Sequence, residues 1–76
     1  MDNINKSIAG RLKILRGLSQ FSQTTVAEKL SITQGAYSLI ESGKIRINVE
    51  QLVRLSKLYN ISTDFILKGE EFISKE

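Results

Sequence analysis

Cysteine, histidine, proline and tryptophan are all missing from the 76 residues. Without Cys or His there is no disulfide framework, no thiolate nucleophile, no zinc site of the usual N/S kind and no imidazole for acid–base work. Long apolar runs are missing too. The longest is three residues, as in Phe65-Ile66-Leu67, against the ~20 needed to cross a bilayer, and the N-terminus has no signal-peptide apolar block. These absences lead us to expect a soluble, cytoplasmic chain with no cofactor, no metal and no membrane partner. Carboxylates, Lys and Tyr remain for catalysis, but no two of them form a recognisable catalytic arrangement, so an enzyme is not expected. At this length about 60 % of the unfolded chain's surface is buried on folding, which leaves room for one small domain and makes a partner subunit a natural source of extra stability.

What is present is charge with a direction. Residues 1–69 hold ten basic and five acidic side chains, whereas Glu70, Glu71, Lys75 and Glu76 make residues 70–76 a short acidic tail. A basic body of this size is compatible with a nucleic-acid surface but does not demand one.

Apolar residues recur at helical spacing, and no sustained period-two alternation is bounded by hairpin turns. The fold class is therefore all-α. Ile4, Ile8, Leu12 and Leu15 mark the inward stripe of a first helix expected to end before Gly17. Ser22 caps a second helix with Val26, Ala27 and Leu30 inward, stopping near Ser31. Thr33 caps a third, in which Ala36, Tyr37 and Ile40 are apolar and Gly43 is the expected left-handed C-terminal residue. Asn48 and Gln51 read as a capping box for a fourth helix facing inward through Leu52, Leu55, Leu58 and Tyr59, and closed by Asn60. Ser62 opens a brief fifth helix with Phe65, Ile66 and Leu67 inward and Gly69 at its end. The connections are short and no internal repeat or linker is visible, as in one closed unit.

The connection Ser31-Ile32-Thr33 is too short for the second and third helices to lie antiparallel side by side. They must cross steeply, with small Ala27 where they touch and Ile32 filling the corner, which is the geometry of a helix-turn-helix. One such helix braces on a phosphate backbone while the next presents its N-terminal side chains to the major groove.

The run Gln23-Thr24-Thr25-Val26-Ala27, then Ser31-Ile32-Thr33-Gln34, then Tyr37-Ser38-Leu39-Ile40-Glu41-Ser42-Gly43-Lys44, resembles the Cro and phage-repressor type (Xre-like) helix-turn-helix family. Arg11-Leu12-Lys13, Leu15-Arg16, Leu52, Leu55, Ile61-Ser62 and Asp64-Phe65-Ile66-Leu67 extend the resemblance over about residues 8–69. It implies a compact five-helix, lambda-repressor-like bundle over residues 1–69. It further implies a cytoplasmic regulator, at the bacterial nucleoid when bound, that reads an inverted-repeat operator in double-stranded DNA as a homodimer.

Position by position, the resemblance makes Gln34 a base reader, and its amide can pair bidentately with adenine. Gly35, Ser38 and Leu39 fall at the other groove-facing positions and are poor in hydrogen-bonding groups, so modest direct readout is expected. Gln23, Thr33, Ser42, Lys44 and Arg46 are the expected phosphate contacts. Arg16 and Glu41 stand where the family joins the first and third helices by an ion pair, and so count as scaffold. Phe65, Ile66, Phe72 and Ile73 are the candidates for the two-fold contact; the simpler reading puts the first two in the monomer core.

Three departures from the family pattern stand out. Ser31 occupies a turn position where Gly is typical, Ile47 stands where Pro is common, and Ile45 replaces a frequent cation, which places two large apolar residues near the expected DNA side. The alternative function is a protein-interaction module, such as an antitoxin that neutralises a partner protein.

Overall fold

The computed structural model describes residues 4–69, and among them the secondary structure is helical throughout: α1 Ile4–Ser19, α2 Gln23–Leu30, α3 Gln34–Glu41, α4 Val49–Tyr59 and α5 Thr63–Lys68. The helix starts follow from local chemistry. Ser22, Thr33, Asn48 and Ser62 each sit in extended backbone and accept a hydrogen bond from the backbone N–H three residues on, satisfying a donor that has no partner inside the helix. Asn48 and Gln51 complete the reciprocal box, with Gln51 N donating to Asn48 Oδ1 at 2.7 Å and Asn48 N to Gln51 Oε1 at 2.9 Å.

Four of the five helix ends share one device. At Gln20, Ser31, Asn60 and Gly43 the backbone turns left-handed, with φ between 56° and 82°. The N–H of each of these residues bonds back three residues, and that of the following residue bonds back five, as in Phe21 N to Arg16 O at 3.2 Å and Ile32 N to Ala27 O at 3.0 Å. After Gln20, Ser31 and Asn60 the next residue is Phe21, Ile32 or Ile61, and each of these packs against the core.

This arrangement corrects the expected end of α1. The helix continues through Gly17 to Ser19 and turns at Gln20, φ 61°. Gly17 is an exposed helical residue, and the stop is set by Phe21 returning to the core against Tyr59, ring centroids 6.2 Å apart.

Ile8, Leu12, Val26, Ala27, Leu30, Tyr37, Ile40, Leu55 and Ile66 form the buried core, with contributions from all five helices. Each large apolar side chain buried in this way contributes about 1.5–3 kcal/mol of transfer free energy. Leu67, expected to face inward, is 36 % exposed instead, because on so short a helix the buried place goes to its neighbour Ile66, 0 % exposed. Arg11 then ties the first helix to the last, Nε donating to Ile66 O and Nη2 to Leu67 O, both at 2.8 Å. No helix among the described residues is long and apolar enough to cross a membrane.

Candidate nucleic-acid interface

The three-residue connection between α2 and α3 holds Ala27 and Ile32 in the corner and leaves the N-terminal turn of α3 exposed at Gln34 and Gly35. Ser38 is half-buried and Leu39 is 42 % exposed, so the outward strip of α3 carries one amide, one hydroxyl and one aliphatic side chain. Thr33 accepts the capping bond from Ala36 N at 3.1 Å, and its exposed hydroxyl keeps its own proton for an outside acceptor.

Beneath this strip lies a connected polar cluster. Arg16 Nε donates to Glu41 Oε2 at 2.7 Å and Arg16 Nη2 to Glu41 Oε1 at 3.0 Å, a two-pronged pair whose carboxylate side chain is 3 % exposed. The Tyr37 hydroxyl adds a third donor, to Glu41 Oε2 at 2.9 Å. A fourth comes from Gln23, whose Nε2 reaches Glu41 Oε1 at 2.9 Å. Gln34 Nε2 in turn donates to Gln23 Oε1 at 2.8 Å, so one chain of bonds links the buried ion pair to the exposed amide. Arg16 also donates from Nη1 to Phe21 O at 2.9 Å, fastening the connection that precedes α2.

The electrostatics follow from this geometry. Burial alone would raise the Glu41 pKa, but the hydrogen bonds from Arg16, Gln23 and Tyr37, with the Arg16 charge, outweigh it and hold the carboxyl below its ordinary value. The hydrogen bond to Glu41 raises the Arg16 pKa. Burial first, and the bond to the carboxylate second, drive the Tyr37 hydroxyl upward. The cluster is therefore fixed in its charged form at neutral pH.

Beyond α3, Gly43 turns left-handed at φ 82°, and a Cβ there would lie 3.2 Å from Lys6 Cγ, a contact that favours glycine. Asn5 Nδ2 donates to Gly43 O at 2.7 Å and pins the loop to the start of α1, after which Lys44, Ile45 and Arg46 are exposed. Ser42 Oγ donates its proton to Leu39 O at 3.1 Å, so in this conformation the hydroxyl presents acceptor lone pairs and not the donor that the expected phosphate contact needs. Ile47, expected near the DNA side, turns inward and packs against the core, leaving Ile45 alone as the exposed apolar residue of the loop.

The structure thus brings Gln23, Gln34, Arg16 and Glu41 into one network, leaves Thr33, Gly35 and Leu39 exposed and Ser38 half-buried along α3, and exposes Lys44 and Arg46 in the loop that follows. Among the two-fold candidates, Ile66 is 0 % exposed and wholly within the monomer core, so its side chain is withdrawn from any partner. Phe65 is half-buried, and Phe72 and Ile73 lie outside the described residues. Sequence reasoning missed Asn5, Arg11 and Tyr37 as positioning groups. Tyr37 carried a visible signal, four residues before Glu41 on the same helix face; Asn5 and Arg11 carried none.

Residues 12–66 match the Helix-turn-helix family. The chain belongs to that family. A similar protein is the SPbeta prophage-derived HTH-type transcriptional regulator YonR of Bacillus subtilis (strain 168), 41 % identical over 59 residues, covering 78 % of this chain and 55 % of the relative. The HTH-type transcriptional regulator ImmR of the same organism is 37 % identical over 70 residues, covering 92 % of this chain and 54 % of the relative. The chain therefore spans about half the length of these curated relatives. Among solved structures, the P22 c2 repressor protein in complex with a synthetic operator superposes with a TM-score of 0.77 at 27 % identity, covering 83 % of this chain and 96 % of that one. The helix-turn-helix bundle read from the residues is thus the fold of a repressor crystallised on an operator.

Proposed function

We propose that the protein is a sequence-specific double-stranded DNA-binding transcription regulator, a repressor that binds an inverted-repeat operator as a homodimer. The observation that carries this reading is the exposed N-terminal turn of α3, where Gln34 stands outward on a short helix braced from beneath by the Arg16–Glu41 pair. In this reading Gln34 meets a base edge, Ser38 and Leu39 line the groove, and Leu39 touches a thymine methyl. Thr33, Lys44 and Arg46 lie on phosphates, Ser42 joins them by turning its Oγ–H away from Leu39 O, and Gln23 uses the amide hydrogen that its two internal bonds leave over. The P22 c2 likeness and the regulator relatives support the assignment.

For the homodimer, the support is an apolar groove of about 300 Å³ between the starts of α1 and α4 and the end of α5, with Ile4, Val49 and Leu67 exposed along it. Phe65 on the same short helix, with Phe72 and Ile73, completes the proposed two-fold contact. Two α3 helices so related would enter major grooves one helical turn, ~34 Å, apart. The alternative reading, a module that docks on another protein, draws on Ile14 and Leu18, 62 % and 77 % exposed and one turn apart on α1.

Selection from a random duplex library at two salt concentrations decides between them. Enrichment of an inverted repeat, with affinity falling steeply as salt rises, supports the operator-binding dimer. Weak binding without enrichment sinks it in favour of the protein partner.

A further inference from the structure

The bonds that join Glu41 to Gln34 have a direction. A carboxylate carries no proton and can only accept, so the group that Gln23 turns toward Glu41 must be its NH2. That orientation places Gln23 Oε1 toward Gln34, and an oxygen again demands an NH2 from its partner. Both links are present, Gln23 Nε2 to Glu41 Oε1 at 2.9 Å and Gln34 Nε2 to Gln23 Oε1 at 2.8 Å. Turning Gln34 over would set its oxygen against the oxygen of Gln23. One N–H of Gln34 is therefore committed inward, and the outward face of the amide is left with one donor and one acceptor.

That outward pair has a definite complement. Adenine presents an acceptor, N7, beside a donor, N6–H, in the major groove, whereas guanine presents two acceptors, N7 and O6. An amide with one free N–H and one free oxygen matches adenine at both points and guanine at one. Had the chain of bonds run the other way, Gln34 would hold both N–H groups outward and suit guanine. We infer that Glu41, buried in the monomer, acts through Gln23 as a positioning residue that sets the donor–acceptor sense of Gln34 and with it a preference for adenine over guanine. The inference rests on the DNA-binding reading above and extends it from the residue that reads to the residue that decides what is read. The Arg16 and Tyr37 donors keep Glu41 charged and in place, and so keep the direction of the chain.

The test uses the full chain and two substitutions, Gln23→Met, which keeps the length of the side chain but removes both links while leaving the Arg16–Glu41 pair intact, and Glu41→Gln. Library selection with the unaltered protein and with Gln34→Ala first locates the base pair whose preference depends on Gln34. Affinities are then measured on duplexes carrying adenine or guanine there. The unaltered protein is expected to favour adenine by about tenfold; Gln23→Met should bring the ratio close to one, and Glu41→Gln should lower it, because an amide at 41 can donate as well as accept and no longer fixes the sense of Gln23, whatever uniform loss of affinity accompanies either change.

Retention of the adenine preference in Gln23→Met, alongside a uniform loss, would overturn the inference and leave Gln23 a phosphate contact. An unaltered protein that enriches no sequence would overturn the DNA-binding reading itself. A readout without DNA covers the case in which Glu41→Gln weakens the fold. In 15N–1H spectra of the free protein, the Gln34 side-chain amide resonances should shift in Gln23→Met, and unchanged resonances in that variant would contradict the link.

Discussion

Glu41 is the side chain at which burial and charge pull in opposite directions, and the resolution has a pH signature. Its carboxyl is held below its ordinary value, so in the pH window between the folded and unfolded values the unfolded chain binds the extra proton. Stability from this group is then fully present above the ordinary carboxylate range and is lost as pH falls through the folded value. Thermal melts of the wild-type chain should show Tm falling below about pH 5. Glu41→Gln should start lower at neutral pH, since an unpaired Arg16 beneath the cluster is costly, and should show a shallower acid decline. Tyr59 supplies the contrasting case. Its hydroxyl is buried without a hydrogen-bond partner, and burial pushes its pKa up to about 12. Tyr59→Phe removes an unsatisfied polar atom and keeps the ring against Phe21, so Tm is expected to hold or rise. A loss above about 1 kcal/mol would show that the hydroxyl finds a partner in solution. Of these residues, Arg16 and Glu41 could be paired beforehand only through the family resemblance. Gln23 and Gln34, 11 residues apart across a turn, could be placed as contacts to DNA but not as contacts to each other.

The helix boundaries sort by how local their causes are. Ser22, Thr33, Asn48 with Gln51, and Ser62 cap through bonds within three residues, so the sequence alone was enough to read them. The end of α1 was not readable, because Phe21 seeking the core decides it and the nearby glycine does not. Two glycines make the distinction measurable. Gly17 is helical, exposed and open, with nothing within 4 Å of an added Cβ, so Gly17→Ala should stabilise the protein by about 0.5–1 kcal/mol. Gly69 closes α5 at φ +81°, and a Cβ there would come within 2.7 Å of Arg11 Nη1. Gly69→Ala therefore strains the backbone by about 1–2 kcal/mol and displaces the guanidinium that holds the carbonyls of Ile66 and Leu67. Melts of the two variants should move in opposite directions, and a stabilising Gly69→Ala would contradict the left-handed closure.

At the scale of the whole molecule, the bundle is a frame closed by Arg11 between its first and last helices, with the loop after α3 pinned by Asn5 at Gly43. That fixation makes Lys44 a clean probe of the assembled complex. Its side chain is exposed and its backbone N–H already bonds to Leu39 O at 3.0 Å, so Lys44→Ala changes charge without disturbing the fold. Each phosphate neutralised by a cation contributes about 0.9 to the slope of log K against log salt. In a two-fold complex every substitution counts twice, so Lys44→Ala should flatten the slope by about 1.8, against about 0.9 if a single protomer binds. Fluorescence anisotropy titrations of the selected duplex across a salt series give this difference directly. The same variant should lose affinity for all sequences alike and keep its adenine preference, because Lys44 lies outside the Glu41–Gln23–Gln34 chain. A flattening of about 0.9 would assign one protomer to each site and remove the homodimer from the proposed function while leaving the reading helix in place.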